Sequence, residues 1–317
     1  MSLRVFRGLE DLPLDFGPCA LTIGNFDGVH AAHQSIMRRV AALARDHGWT
    51  ATVLTFDPHP AQLLNREQAP RLLTSIVERT ALIEASGIEA IVVLPFTREI
   101  AALTPEEFAL QILADRMHAR VVLVGGNFRF GNRAAGDTGK LAELGAQLGF
   151  ATEIAGTERL HARMVSSSEI RRLIETGNIY LAGRMLRRPY SLEGAVVPGH
   201  GVGSKQTVPT LNLETRAEVL PKAGVYVTRT HSLGGEREWP SITNVGFRPT
   251  FNGDRLTIET FLLAPLDGDP PLRIRVEFLH RVRDERKFES ADALRAQIFR
   301  DVTRAREFFR RNDIIKK

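Results

Sequence analysis

The stretch LTIGNFDGVHAAHQ, residues 21–34, determines how the first half of the chain is interpreted. An apolar run ends at Gly24, and a helical pattern begins a few residues after Asn25–Gly28. The pattern predicts a strand, a tight loop and a helix whose first backbone N–H groups form an anion site suited to phosphate. His30 and His33 lie three residues apart in the first turn, so both rings face one side and can donate to phosphate oxygens. The alternative is a capped helix with two solvated histidines.

Apolar runs alternate with helical patterns throughout the first half of the chain. The runs are CALTIGNF, TATVLTF, EAIVVLPF, RVVLVGG and FATEIA, with HQSIMRRVAALARDHG and TPEEFALQILADRMHA among the segments between them. This alternation predicts an α/β domain in which a parallel sheet carries helices on its faces. Ligands of such sheets bind at the carboxyl ends of the strands, where the histidine loop falls.

The second half, from about Tyr190, has a different pattern. Six short strand-like runs follow one another without helices, in the order YSLEGAVVPG, PTLNLE, GVYVTRTHS, EWPSITNVGF, RLTIETFLL and LRIRVEFLH. They predict a six-stranded antiparallel β-barrel. The last segment, SADALRAQIFRDVTRAREFFRR, has apolar residues at helical spacing and predicts one closing helix. Two short helices are expected between the halves, and we place the domains at residues 1–183 and 184–317.

The composition of the chain indicates which kinds of ligand it can bind. The 317 residues include 42 Lys and Arg against 37 Asp and Glu, a net charge of +5 that suits an anionic ligand. A nucleic-acid-binding scaffold is the competing class, but it would interleave clustered basic residues with aromatics, whereas aromatics make up 7% and the arginines are scattered. The single cysteine, Cys19, and the absence of an apolar signal region or an 18-residue apolar run predict a cytoplasmic protein without a membrane span.

The segment GNFDGVHAAHQ resembles the ATP-binding signature of the nucleotidyltransferase superfamily, whose core is H-x-G-H. In its longer form it is similar to the adenylyltransferase half of the bacterial bifunctional riboflavin kinase/FMN adenylyltransferase, or FAD synthetase, family. Ala32 replaces the usual glycine, which adds one methyl group near the phosphates. The resemblance implies a Rossmann-like nucleotidyltransferase domain in which ATP is bound by Gly24, Asn25, Phe26, Asp27, His30 and His33.

Three further segments match the same half of the family. TFDPHP, residues 55–60, and LPFTREIAALTPEEF imply a flavin site, and GGNFRFGNRAAGD is a glycine-rich loop that follows a strand. Taken by itself, TFDPHP also fits a strand that ends in a proline-rich turn. The resemblance implies flavin contacts from Phe56, Pro58 and Phe96, and a nucleotide contact from Asn127.

The segment VSSSEIRR matches the family pattern S-S-T-x-I-R, with Ser168 in place of threonine. Ser166 and Glu169 also have the spacing of a capping box, which accounts for those two residues without any ligand. It does not account for Arg171, which we place on the β- or γ-phosphate of ATP, with Ser167 as a further ATP contact. Adenylyl transfer then needs no protein nucleophile, because His30 and Arg171 stabilise charge while Mg²⁺ bridges the phosphates.

The second half carries an independent motif. GHGVGSKQTVPTLNL, residues 199–213, resembles the riboflavin kinase signature G-x-x-x-G-R-x-x-G-F-P-T-A-N-L, with Ser204, Thr207 and Val208 as departures. Thr210 and Asn212 are two apart on a strand and share a face, so both oxygens suit one Mg²⁺ ion. A turn into an edge strand would also explain the P-T-x-N part alone. The implied ATP-binding residues of the kinase are Gly199, Gly203, Lys205, Thr210 and Asn212.

The segments ITNVGFRPTF and IETFLL match N-I-G-x-R-P-T-F and E-x-H-L-L of the kinase family. Glu259 is the expected catalytic base for the riboflavin 5′-hydroxyl, because a glutamate within an apolar strand is costly to bury without a role. The alternative is that Glu259 faces water. Arg248, Arg283 and Glu285 are the expected flavin contacts of the kinase, although charged runs before helices are usually solvated.

The resemblance covers the chain from about Phe6 to Phe309, with the motifs in family order. It implies ATP-dependent phosphorylation of riboflavin to FMN in the second half, followed by adenylyl transfer from ATP to FMN in the first half. The alternative is an adenylyltransferase with a weak or inactive flavin-binding kinase domain. The expected partners are riboflavin, FMN and ATP, with Mg²⁺ as the cofactor and without nucleic acid or membrane.

Overall fold

The computed structural model describes residues 3–160, 162–198, 210–250, 253–286 and 288–313. The chain forms two compact units, Met1–Ser167 and Ser168–Lys317. Within the described residues, every helix is too short or too polar to cross a membrane.

The first unit is built on a six-stranded parallel sheet with the strand order β1-β4-β3-β2-β5-β6. Its strands are β1 Arg4–Phe6, β2 Cys19–Ile23, β3 Thr50–Phe56, β4 Ala90–Leu94, β5 Ala119–Gly125 and β6 Ala151–Ala155. The helices are α1 Ala31–His47, α2 Pro60–Leu64, α3 Ile76–Glu84, α4 Arg98–Ala102, α5 Pro105–Glu107 and α6 Thr138–Leu148. A π-helical segment, Phe108–Arg116, continues α5, short 3₁₀ turns lie at Arg66–Gln68 and Asn132–Ala134, and β7 Arg159–Leu160 and β8 Arg163–Met164 form a small hairpin.

The middle strands of this sheet are apolar because both faces are covered. Every residue of β2 and β4 is buried, as expected for parallel strands between two helical layers. Separate apolar clusters fill the two faces, one around Leu21 and Val122 and the other around Met37 and Ile91. All five predicted strands are present, which confirms the α/β interpretation, and the three-residue β1 is an addition at the edge.

The second unit contains a closed antiparallel barrel with the order β10-β13-β12-β11-β14-β9. Its strands are β9 Tyr190–Val197, β10 Thr210–Thr215, β11 Gly224–Ser232, β12 Glu238–Thr250, β13 Gly253–Leu262 and β14 Arg273–Asp284. Helices α7 Ser167–Glu175 and α8 Ile179–Leu186 precede the barrel, and α9 Ala291–Asp313 follows it. The predicted six-stranded barrel, the two short helices and the closing helix are all confirmed.

Alternation along the barrel strands separates an inner from an outer face. The inner face includes five buried hydroxyl side chains that bond to one another at 2.7–2.9 Å in the order Thr230, Ser241, Thr228, Thr243 and Thr260. The intervening residues Val225, Val227, Ile242 and Phe261 point outward and pack with Ala305 of α9. Residues that share the outward alternation, among them Asn212 and Glu259, therefore belong to the outer face of the barrel.

Candidate active sites

A strained loop joins β2 to α1 in the first unit, and we call residues 24–30 the cradle loop. Phe26, Gly28 and Val29 have φ angles of 49°, 78° and 39°, so the backbone enters the left-handed region three times within four residues. Such positions cost energy in non-glycine residues and are concentrated at ligand-binding sites. The loop delivers the chain to α1, whose N-cap residue His30 does not cap the helix with its side chain and whose first turn carries no acid. The positive end of α1 is therefore open to an anion.

The two histidines at this helix end contact each other. The ring of His30, a buried residue, stacks on the ring of His33 with centroids 3.6 Å apart and planes inclined by 18°. The edge of Phe26 closes the other side of His33 at 5.2 Å. Within the described part of the chain, Nδ1 of His33 has no hydrogen-bond partner. The structure thus brings together both histidines and Phe26, as the sequence predicted for an ATP site, and leaves a buried ring nitrogen available.

Burial lowers the pKa of His33 well below its usual value of 6.5, and the positive charges of His30 and Arg79 lower it further. His33 is therefore neutral at physiological pH, with one ring N–H to donate. Two stacked imidazoles also disfavour double protonation, because like charges at this distance repel. His33 is consequently a neutral hydrogen-bond donor beside the ring of His30.

The carboxylate of Asp27 anchors the cradle loop to the turn before α3. It accepts hydrogen bonds from the backbone N–H groups of Leu73 at 2.9 Å and Thr74 at 3.1 Å, and from the Thr74 hydroxyl at 3.2 Å. The Gly28 N–H donates to the same hydroxyl at 3.1 Å. The Asp27 carboxylate therefore fixes the cradle loop to the turn at Leu73 and Thr74. A direct contact between Asp27 and ATP stays a prediction.

Asn25 faces His59 across the start of the loop, with the carboxamide nitrogen 3.0 Å from Nε2 of the ring. The N–H of Ala61 donates to Nδ1 of His59 at 3.1 Å, so a neutral His59 carries its proton on Nε2. Two donors cannot face each other, and the carboxamide must present its oxygen to His59. In that orientation the NH₂ group of Asn25 is turned to donate elsewhere, which suits the predicted nucleotide contact.

Aromatic residues line the ends of the neighbouring strands. Phe56 and Phe96 follow β3 and β4 and meet edge to face at 5.6 Å, which brings two of the predicted flavin contacts together. Pro58 lies in the exposed turn just after Phe56. Phe128, which the sequence analysis did not select, packs in the same apolar cluster as Phe56 and stacks on Phe130 at 5.6 Å. The sequence feature that could have identified Phe128 is its position next to Asn127 in the glycine-rich loop.

The segment around Ser167 was also assigned to ATP. The Ser167 hydroxyl donates to the carbonyl oxygen of Asp27 at 2.9 Å, which ties the first residue of α7 to the cradle loop. Arg171 lies one turn further along α7 and belongs to the second unit. Its role at the triphosphate stays a prediction.

In the barrel, Glu259 lies between two asparagines on adjacent strands. Asn212 of β10 is its direct partner on one side and Asn244 of β12 on the other. Directly opposite residues share a face, with Cβ atoms about 4.5–5.5 Å apart. All three are half-buried, so Glu259 is not simply a solvated strand residue. Asn244 lies in the segment ITNVGFRPTF, but only its pairing with Glu259 across β12 and β13 marks it as part of this site.

Thr210, Asn212 and Glu259 offer hydroxyl, amide and carboxylate oxygens, which are the ligands that Mg²⁺ prefers. The described residues contain no group of three or more His, Cys, Asp and Glu that could hold a metal ion. The donor set therefore fits a cation that arrives with ATP and keeps several waters, rather than one held in a carboxylate cage. Gly199, Gly203 and Lys205, the other predicted ATP contacts of the kinase, lie outside the described residues.

The predicted flavin contacts of the barrel lie where β14 leads into α9. Arg283 forms an ion pair with Asp301 of α9 at 2.8 Å, and Asp301 also accepts from Gln297 at 2.7 Å, so the guanidinium is fixed against the helix. The carboxylate of Glu285 lies against Gly246, where a Cβ atom would overlap it. A larger residue at 246 would therefore displace the Glu285 carboxylate from its present position. The backbone of Arg248 belongs to β12.

Comparison with known proteins agrees with this geometry. The family model for FAD synthetase matches residues 13–169 and the model for riboflavin kinase matches residues 186–309. The bifunctional riboflavin kinase/FMN adenylyltransferase of Escherichia coli K12 is 33% identical over 310 residues, which cover 97% of this chain and 98% of that protein. The protein of the same name from Haemophilus influenzae is 31% identical over 307 residues, with 97% and 99% covered.

A crystal structure described as a macrolide-efflux protein from Streptococcus pneumoniae superposes with a TM-score of 0.83 at 25% identity, over 96% of this chain and 99% of that one. The likeness supports the fold along nearly the whole chain. A nucleotidyltransferase-type parallel sheet followed by a flavokinase-type barrel defines a two-domain, nucleotide-dependent transferase. More narrowly, the chain belongs to the family of bifunctional riboflavin kinases/FMN adenylyltransferases.

Proposed function

We propose that this enzyme makes FAD from riboflavin in two ATP-dependent steps. The barrel phosphorylates riboflavin to FMN, and the first unit then transfers the adenylyl group of a second ATP to FMN. The observation that carries this function is the match of both halves, in this order, to FAD synthetase and riboflavin kinase, with relatives aligned over 97% of the chain. An adenylyltransferase with an inactive kinase domain is not favoured, because the kinase match spans the barrel and includes Glu259.

In adenylyl transfer, a phosphate oxygen of FMN attacks the α-phosphorus of ATP, the bond to the bridging oxygen of the β-phosphate breaks, and pyrophosphate leaves. The second ionisation of a phosphate monoester has a pKa of about 6, so the nucleophile is already charged and needs no strong base. The protein's contribution is to place donors where negative charge develops. We assign this role to the ring N–H groups of His30 and His33, to the first N–H groups of α1 and to Arg171.

The flavin of FMN is placed by the aromatic groups at the strand ends. We assign the wall of the ring site to Phe56, Pro58 and Phe96. Phe128 is an addition suggested by its place in the same apolar cluster as Phe56. Asn25 and Asn127 are assigned to the nucleotide. An apolar wall next to a phosphate cradle holds both reactants in one orientation, which is a large part of what a transferase must supply.

In the kinase step, the 5′-hydroxyl of riboflavin transfers its proton to Glu259 while its oxygen attacks the γ-phosphorus of ATP, and ADP leaves. Asn212 and Asn244 lie directly opposite Glu259 on the two neighbouring strands. Thr210 and Asn212 would hold Mg²⁺, which would supply positive charge to the transferring phosphates. Arg248, Arg283 and Glu285 are assigned to the isoalloxazine edge. We further propose that the protein is cytoplasmic and that its partners are small molecules.

The test is product analysis with the purified protein. Riboflavin, ATP and Mg²⁺ should give FMN first and FAD later by chromatography, and chelation of Mg²⁺ should stop both steps. Supplied FMN should be converted to FAD without riboflavin. A protein that forms FAD from FMN but no FMN from riboflavin would overturn the kinase assignment, and one that stops at FMN would overturn the adenylyl assignment.

A further inference from the structure

Arg79 is a buried cation beneath the cradle loop that the sequence analysis did not select. It lies on α3 and is only 2% exposed. Its Nη2 donates to the carbonyl oxygen of Thr74 at 3.4 Å and lies 4.0 Å from Oδ1 of Asp27. Among the residues that the structure describes, none accepts a hydrogen bond from its buried Nε.

A guanidinium has five N–H donors and stays charged in proteins, so burial with few acceptors is costly. Burial lowers the pKa of Arg79, while the charges of Asp27 and Asp57 raise it. A long, single contact to one carboxylate is weak compensation, since buried pairs are favourable only with close geometry and satisfied hydrogen bonds. An arginine used only for packing stability would be better replaced by an apolar residue.

Arg79 is linked to the cradle loop through Asp27 and Thr74. Asp27 accepts from the N–H groups of Leu73 and Thr74, the Thr74 hydroxyl accepts from the N–H of Gly28, and Arg79 contacts both Asp27 and Thr74. Gly28 has a positive φ and lies two residues before His30. A shift of Asp27 or Thr74 would therefore move the backbone that leads directly into the histidine pair.

We propose that Arg79 is a positioning residue for adenylyl transfer, because it holds Asp27 and the turn at Thr74 in the one arrangement that presents the cradle loop to ATP. The inference rests on the proposed adenylyltransferase function of the first unit. Arg79 acts through Asp27 and not on the phosphates themselves. Its removal therefore loosens the site without removing a ligand contact.

The first test is steady-state kinetics of FAD formation from FMN and ATP with Arg79→Met and Arg79→Lys. Misplacement of a reacting group costs on the order of 10²-fold in rate, and we expect such a fall in kcat for Arg79→Met, with a KM for ATP that changes by less than about three-fold. Arg79→Lys keeps the charge but not the planar fork, so its loss should be intermediate. Riboflavin phosphorylation by the same chains should stay at the wild-type rate.

Arg116→Met is the matched control. Arg116 is a partly buried arginine of the same unit that donates to the carbonyl oxygens of Leu9 and Leu12, both at 2.7 Å, away from the cradle loop. Its removal should lower the melting temperature and leave the kcat of FAD formation unchanged. If Arg79 had only a structural role, Arg79→Met would likewise lower the melting temperature and leave the kcat of FAD formation unchanged.

A double-mutant cycle with Asp27→Asn separates positioning from direct contact with ATP. If Arg79 acts through Asp27, the double variant should be about as slow as the slower single variant. Losses that multiply would overturn the proposal and indicate independent contact with the phosphates. A folded Arg79→Met variant with the wild-type kcat would also overturn the proposal. If Arg79→Met does not fold, a wild-type kcat in Arg79→Lys would overturn it. Failure of the wild-type protein to adenylylate FMN would instead refute the proposed function.

Discussion

Asn212 and Glu259 stand directly opposite each other on the antiparallel strands β10 and β13, with Asn244 of β12 on the other side of the glutamate. These three polar side chains share the outer face of the barrel with an apolar cluster that packs against α9. A carboxylate between two carboxamides has hydrogen-bonding neighbours and a fixed location, which a proton acceptor requires. This relationship argues against a glutamate that merely faces water.

We expect Glu259→Gln to abolish FMN formation from riboflavin, with a loss of about 10²–10⁴-fold, because glutamine keeps the shape but cannot accept the hydroxyl proton. FAD formation from supplied FMN should survive, since that reaction belongs to the other unit. Both products are measured by chromatography after single-substrate incubations.

Glu236→Gln provides the control, because Glu236 is an exposed glutamate in the turn between β11 and β12. It should not change either rate. Loss of both activities in Glu259→Gln would argue against separate sites, and undiminished FMN formation would remove Glu259 from catalysis.

Most helices and strands of this fold were predictable, because the spacing of apolar residues shows which side of each element is buried. β2 and β4 are uniformly apolar and buried on both faces, and the barrel strands alternate, so periodicity alone separates the two units. The histidine pair was equally visible, since H-x-x-H at a strand-to-helix junction places both rings on one side. The three-residue β1 is too short to carry a pattern.

The supporting residues of the sites were not predictable in the same way. Arg79 is one of many arginines on amphipathic helices, where such residues normally face water. Its burial beside Asp27 of a distant loop is a feature of the tertiary structure. Asn244 becomes notable only through the pairing of β12 with β13, because the residue that stands opposite Glu259 depends on the register of the two strands, which the sequence analysis did not fix.

We expect His30→Ala to stop FAD synthesis and leave the kinase intact. His30 stacks on His33 and lies at the N-terminus of α1, so its removal takes away one donor and the support of the second ring. Loss of one donor from a charge-stabilising site costs about 10²–10³-fold in kcat. The rate of pyrophosphate release from FMN and ATP measures the effect.

His47→Ala tests the same substitution at the opposite end of α1, where the ring packs on Trp49. It should affect stability alone. An unchanged FAD yield in His30→Ala would overturn the assignment of the cradle loop to ATP.

The hydroxyl chain inside the barrel predicts a stability effect without an effect on either site. Thr243 bonds to the hydroxyls of Thr228 at 2.7 Å and Thr260 at 2.9 Å. Thr243→Val keeps the shape but leaves buried hydroxyls short of a partner, and we expect a loss of about 1–3 kcal/mol in the free energy of unfolding. Urea unfolding of the barrel is followed through the buried Trp239 in a Trp49→Phe background.

The paired substitution Thr243→Val/Thr260→Val should recover part of this loss, because two apolar partners leave fewer unsatisfied groups than one. Thr303→Val, on the exposed side of α9, should stay within about 0.5 kcal/mol of the wild-type protein. A double variant that loses the sum of two large single effects would indicate that the hydroxyls contribute independently.

The lowered pKa of His33 predicts a pH-dependent stability of the first unit. Burial lowers it most, followed by the charges of His30 and Arg79. The unfolded chain takes up a proton on this histidine as the pH falls through about 6.5, whereas the folded unit does not. Stability is therefore fully present above about pH 6.5 and is lost as the pH falls below it, until the lower folded-state pKa is reached, by up to about 1.4 kcal/mol per pH unit from this group.

Urea unfolding of the first unit at pH 7.5, 6.0 and 5.0, followed through Trp49 in a Trp239→Phe background, measures this slope in wild-type protein and in His33→Gln. Glutamine does not titrate, so the variant should lose less stability between pH 6.5 and 5.0, with a difference in slope approaching one proton. Titrating groups that do not contact His33 cancel in the comparison. Equal slopes in the two proteins would show that His33 is protonated in the folded state, and the neutral donor assigned to it at the cradle loop would then be wrong.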